Sequence, residues 1–174
     1  MFKKVEKQFN RRPAFTLIET LLYISIFSIV VFLILGIYGL VVEARVRQRT
    51  VTEVNEEGGR IVQMITQTIR NSTSINSPLP AANSGVLSLY VPTGANNPTL
   101  YYLVGNDLVI KEGTAGTIVM NSNRVIISGL KYYNLSLGGT KGTVKVEFTV
   151  SSKTQSAQKI YQFTQNFASD ATVR

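Results

Sequence analysis

The sequence predicts an α+β chain: one long N-terminal helix, its first half apolar enough to cross a membrane, its second half packed on an antiparallel β-sheet. Three observations predict it. Residues 15–42 form a 28-residue stretch in which Glu19 is the only formally charged side chain. Residues 43–71 keep a helical apolar period, and beyond residue 85 the period changes to alternation.

The first element is a basic leader, residues 1–14, in which Lys3, Lys4, Lys7, Arg11 and Arg12 stand against the single acid Glu6. Such a flank stays cytoplasmic under the positive-inside rule, so the N-terminus is expected inside and the bulk of the chain outside. The second element is the apolar stretch 15–42, expected to be a single-pass transmembrane helix. At about 1.5 Å per residue it reaches roughly 42 Å, more than the ~30 Å hydrocarbon core of a bilayer. A secretory signal peptide has an apolar core of only ~7–15 residues before a small-residue cleavage site, and Val42-Glu43-Ala44 is a poor one. A plain signal anchor fits the length and the charge but leaves Glu19 unexplained. A carboxylate at mid-span costs roughly 2.5–3.5 kcal/mol on insertion scales and normally implies a partner.

A basic leader, a small residue, then Phe15-Thr16-Leu17-Ile18-Glu19 followed by about twenty apolar residues resembles the class III signal of type IV pilins and type II secretion pseudopilins. The resemblance covers residues 11–42. It implies cleavage by a prepilin peptidase between Ala14 and Phe15, N-methylation of Phe15, and a Glu19 carboxylate that faces the free amine of a neighbouring subunit during filament assembly. The family usually carries Gly before the cut; this chain has Ala14, preceded by Pro13. The physical logic is direct. An α-amine with an ordinary pKa of about 7.7–8.0 is largely cationic near neutral pH, and pairing it with a carboxylate inside an apolar bundle offsets both desolvation costs.

The third element, residues 43–71, extends the same helix to about Arg70. Val54, Ile61, Ile65 and Thr68 or Ile69 recur at helical spacing, while Arg45, Arg47, Arg49, Glu53, Glu56, Glu57 and Arg60 fall largely elsewhere, the pattern of an amphipathic helix. Gly58-Gly59 interrupts it at roughly 1 kcal/mol per glycine relative to Ala, read as a bend or a close approach to the sheet in preference to a hinge. Gly36 and Gly39 admit the same readings. Asn71-Ser-Thr-Ser ends the helix, and residues 76–85, with two prolines, are expected to be a connecting loop.

Residues 72–174 are expected to form an extracytoplasmic β-rich domain, with strands near 86–91, 100–104, 108–111, 117–120, 124–128, 130–137, 143–151 and 159–167 and a short tail after the last. Gly105-Asn106-Asp107 supplies turn chemistry for a tight hairpin. In the strand near 143–151, Val144, Val146, Phe148 and Val150 should face the core and Lys145, Glu147 and Thr149 solvent. Tyr132, Tyr133, Phe148, Tyr161, Phe163 and Phe167 read as sheet core. A long helix on an antiparallel sheet is again similar to the pilin and pseudopilin fold.

The chain has no Cys and no His, which removes a thiolate nucleophile, a Ser–His triad and the usual zinc ligands. After residue 70 the carboxylates are Asp107, Glu112, Glu147 and Asp170, at no spacing that suggests a paired acid and base. No enzyme, cofactor, metal or small-molecule substrate is expected. Of the formal charge of +8, the leader supplies +4, and the lysines at 111, 131, 141, 145, 153 and 159 are scattered rather than clustered. The resemblance therefore implies a structural subunit of a type IV pilus-like or type II secretion filament in the inner membrane, with a prepilin peptidase and other pilin or pseudopilin subunits as partners. The absence of a calcium-type loop favours a minor subunit. The alternatives are a DNA-binding subunit of an uptake filament, for which no basic stripe is present, and a simple membrane-anchored binding domain.

Overall fold

The computed structural model describes residues 15–137, 142–153 and 161–174. The chain divides into two compact units, Met1–Glu43 and Ala44–Arg174. Helix α1, Leu17–Asn71, supplies the described helix of the first unit and the opening element of the second. Among the described residues nine strands follow: β1 (Ser74–Ser77), β2 (Asn83–Ser84), β3 (Leu87–Tyr90), β4 (Thr99–Val104), β5 (Asp107–Glu112), β6 (Thr117–Val119), β7 (Val125–Asn134), β8 (Thr143–Ser152) and β9 (Thr164–Thr172). A long apolar N-terminal helix with antiparallel sheets confirms the α+β class.

In the second unit the strands form two antiparallel sheets rather than the one expected, ordered β1-β3-β4-β5-β6 and β2-β7-β8-β9. Both sheets and the helix enclose one core. Val54, Ile61, Ile65 and Ile69 of α1 meet Leu87, Leu89, Tyr101 and Leu108 of the first sheet and Ile127, Tyr132, Val146 and Phe148 of the second. Each fully buried aliphatic side chain of this kind contributes about 1.5–3 kcal/mol of transfer free energy. Of the two candidates for the last apolar position of the helix, Ile69 is the buried one, and the Thr68 hydroxyl lies 2.8 Å from that of Tyr101.

Asn121 ties the two sheets together. Its side-chain oxygen accepts from the Leu108 N–H at 2.8 Å, and its amide donates to the Asp107 carboxylate at 3.0 Å and the Val125 carbonyl at 3.3 Å. The β4–β5 hairpin turns at Gly105 and Asn106 as expected, with Val104 opposite Asp107 and Gly105 at a φ of 62°. β8 follows its expected alternation, Val144, Val146, Phe148 and Val150 being buried.

Four expectations are corrected. The strands expected near 124–128 and 130–137 are one strand, β7, which carries a register irregularity between Ser128 and Lys131 around Gly129 at a φ of 64°. A glycine in a strand can mark a bulge as well as an end, and the pairing with β8 resumes beyond it. The expected loop 76–85 contains the end of β1 and all of β2, elements too short to show a period. The last strand runs to Thr172, so the expected tail is strand and its end contributes Ala171 and Val173 to the core; Lys159 and Ile160 lie outside the described residues. Of the aromatics, Tyr132 and Phe148 are buried and Phe163 and Phe167 pack against the core. Tyr133 and Tyr161 are half-buried and belong to no core cluster. Consecutive side chains of a strand point to opposite faces, so Tyr132 and Tyr133 cannot both face inward.

An ionic clamp holds the helix to the β6–β7 connection. The Glu57 carboxylate accepts from the Ser122 N–H at 2.6 Å and from the Arg60 guanidinium at 2.8 Å, and Arg60 also donates to the Met120 carbonyl. Arg124 pairs with Glu53 at 3.2 Å. Burial by itself would raise the Glu57 pKa, but the hydrogen bonds from Arg60 and Ser122 outweigh it and hold the carboxyl below its ordinary value. A depressed folded-state pKa contributes stability above the unfolded value of about 4.3, lost as pH falls through the folded value. Glu57→Gln should therefore lower the urea midpoint at neutral pH by the equivalent of about 1 kcal/mol, Arg60 being half exposed and its share screened. It should also flatten the loss of stability between about pH 5 and about pH 3, as read by circular dichroism. An unchanged midpoint and pH profile would show that the clamp contributes nothing.

Candidate assembly determinant in the first turn of the helix

The described part of the first unit begins at Phe15, and its sequence explains how the helix starts. Thr16 precedes the helix, and its hydroxyl and carbonyl accept the Glu19 N–H at 3.4 Å and 3.1 Å, while the Thr20 N–H reaches the same carbonyl at 3.2 Å. Thr16-x-x-Glu19 has the spacing of a capping box, and an acid in the first turn complements the positive end of the helix dipole. The stretch then propagates without interruption because its few hydroxyls are satisfied on their own backbone. Thr20 donates to Leu17, Ser25 to Leu22 and Ser28 to Ile24, each at 2.8 Å to the carbonyl oxygen.

Glu19 remains as the one acidic group of the stretch. It is half-buried, and its carboxylate lies 3.5 Å from the Tyr23 hydroxyl, which donates to it. The rings of Phe15 and Tyr23 meet edge to face at 6.0 Å. Tyr23, one turn beyond Glu19 on the helix, thus touches both Glu19 and Phe15, which lies just ahead of the helix. No cationic side chain pairs with Glu19 among the described residues.

Around these residues the apolar side chains face outward. Phe15 is 69 % exposed and Leu17 78 %, and the same holds along the stretch through Leu33, Ile37 and Leu40. The helix is long and apolar enough to cross a membrane, and none of its most apolar window is buried within the chain. Of the three residues singled out in the sequence, Phe15 and Glu19 therefore both contact Tyr23, and Ala14 lies outside the described residues. Tyr23 and Thr16 were missed, although the Thr-x-x-Glu spacing and a tyrosine four residues beyond the acid were both readable. Compared with known proteins, the chain matches no family model, no curated protein and no solved structure.

Proposed function

We propose that the chain is a structural subunit, of the minor pilin or pseudopilin type, of a type IV pilus-like or type II secretion filament. The observation that carries the reading is a carboxylate with no ion pair among the described residues, in the first turn of a helix whose first half is otherwise apolar, within the string Phe15-Thr16-Leu17-Ile18-Glu19 that follows a basic leader. In this reading residues 15–42 anchor the chain in the inner membrane with the leader cytoplasmic and the sheets outside. A prepilin peptidase removes residues 1–14, Phe15 becomes a methylated N-terminus, and its cationic amine meets the Glu19 carboxylate of a neighbour.

Local geometry supports this division of labour by magnitude. A first-turn acid gains about 0.3–1 kcal/mol from the helix dipole at an exposed site. A carboxylate costs about 2.5–3.5 kcal/mol at mid-span, which is the upper bound for Glu19 near the start of the stretch. Tyr23 is a neutral donor at the outer limit of hydrogen-bond distance, so it does not replace a counter-charge. In this reading a cation from another subunit supplies the counter-charge that Glu19 does not find among the described residues. Mass spectrometry of the membrane-extracted protein should find a mature chain that begins at methylated Phe15. Retention of residues 1–14 in cells with an active prepilin peptidase would overturn the assignment.

A further inference from the structure

The second unit opens with an arginine-rich stretch that the assembly reading does not use. Arg45, Gln48, Arg49, Thr52, Glu53 and Glu56 of α1 and Arg124 from the β6–β7 connection line a shallow cleft of about 430 Å³. Arg45 and Arg49, one turn apart, share one helix face, whereas Arg47 does not line the cleft. Glu53 is engaged by Arg124 at 3.2 Å, and among the described residues no ion pair engages Arg45 or Arg49. The cleft is also polarised. From Arg45 to Glu53 the helix axis rises about 12 Å, so Arg45 and Arg49 come first along the helix and the carboxylates Glu53 and Glu56 follow.

Distance along the chain says what anion meets that end. Arg45 follows Val42, the last residue of the apolar stretch, by three residues, a separation of at most about 11 Å even for an extended chain. The polar headgroup layer of a bilayer is roughly 5–7 Å thick on each side of the hydrocarbon, and an arginine reaches several ångströms further by extending its stem. Along the continuous helix Arg45 and Arg49 follow Val42 by about 4.5 Å and about 10.5 Å, so extended stems bring their guanidinium forks within reach of lipid phosphates, which such forks bind in bidentate fashion. We propose that Arg45 and Arg49, in this cleft, hold the phosphate of an anionic phospholipid in the leaflet that faces the sheets. The inference rests on the reading of residues 15–42 as a membrane span but not on filament assembly.

The test uses the full chain reconstituted in phosphatidylcholine vesicles doped with phosphatidylglycerol. Spin-labelled phosphatidylglycerol and phosphatidylcholine report which lipid the protein immobilises. The wild-type chain should prefer phosphatidylglycerol by about fivefold or more, fivefold being the scale expected for each arginine at a membrane surface. The double variant Arg45→Gln/Arg49→Gln should show almost no preference, and Arg47→Gln, with its charge removed outside the cleft, should retain it. Equal preference in the double variant, or equal loss in Arg47→Gln, would overturn the site. Loss of the preference on adding inorganic phosphate would make a free anion the ligand and overturn the lipid. Flotation with pure phosphatidylcholine vesicles separates the two levels: a chain that does not float defeats the membrane span, whereas one that floats without lipid preference defeats this inference alone.

Discussion

Replacing Gly58 by valine should destabilise the sheet-bearing unit by about 2 kcal/mol or more, while replacing its neighbour Gly59 by alanine should stabilise it by roughly 0.5–1 kcal/mol. The opposite signs follow from what each glycine faces. A Cβ built on Gly58 would stand 2.2 Å from the ring of Phe167, whereas one on Gly59 meets nothing within 4 Å. Phe167 is not free to yield, because its ring stacks on Phe148 with centroids 5.6 Å apart and packs against the core. Helix propensity favours almost any residue over glycine by up to about 1 kcal/mol, and that gain is all that Gly59→Ala brings. At position 58 the same gain is outweighed by overpacking, typically about 1–3 kcal/mol, which grows with a β-branched side chain. Urea unfolding of the full chain in detergent, followed by circular dichroism, measures both. Adding Phe167→Ala to Gly58→Val should recover part of the loss, since the two residues are in contact and their effects do not add. A Gly58→Val chain as stable as Gly59→Ala would show that helix and sheet do not meet at this point.

The same contact shows how much of the fold was legible. The amphipathic period of the helix named Val54, Ile61, Ile65 and, as one of two candidates, Ile69 on its buried face but not Thr66, and of the readings offered for Gly58-Gly59 the close approach holds at Gly58. β8 and the β4–β5 hairpin were equally readable, since one alternates along its whole length and the other turns over two residues at a glycine. What the pattern did not contain was the division into two sheets. Alternation tells which side of a strand is buried but not which strands pair, and here a single core is shared by both sheets. The late strand was misplaced for a related reason. Tyr161 and Phe163 drew the expected strand upstream, while the paired residues Thr164–Thr172 read as polar. β9 pairs only with β8, an edge position, and its inward face consists of Phe167, Ser169 and Ala171, two of them small.

In the candidate site the composition pointed to Glu19 because one charge among 28 residues needs a reason. Its immediate surroundings were less legible. Thr16 and Tyr23 are unremarkable by type, and only their spacing from Glu19 places them on its turn of the helix. They also give Glu19 a local role as a first-turn acid, which has to be separated from a role between subunits. Glutamine makes that separation, because a capping box accepts Gln as well as Glu while only the carboxylate carries charge.

Glu19→Gln should therefore preserve the start of the helix, insert into the membrane at least as readily as the wild-type chain, and still lose its leader. Insertion gains because the penalty for an acidic side chain disappears. Cleavage continues because the resemblance assigns recognition mainly to the leader and Ala14. Under the proposed function, filament incorporation should fall by an order of magnitude or more, since a charge-assisted contact in an apolar bundle is worth about 1.5–3 kcal/mol and every added subunit would make one. The decisive measurement is the fraction of mature chain recovered in sheared filaments relative to the membrane, for wild type, Glu19→Gln and Glu19→Ala side by side. The pairing account predicts that both variants accumulate as inserted, cleaved subunits and are scarce in filaments. Wild-type filament incorporation of Glu19→Gln would contradict it and leave Glu19 as an acid that starts a helix.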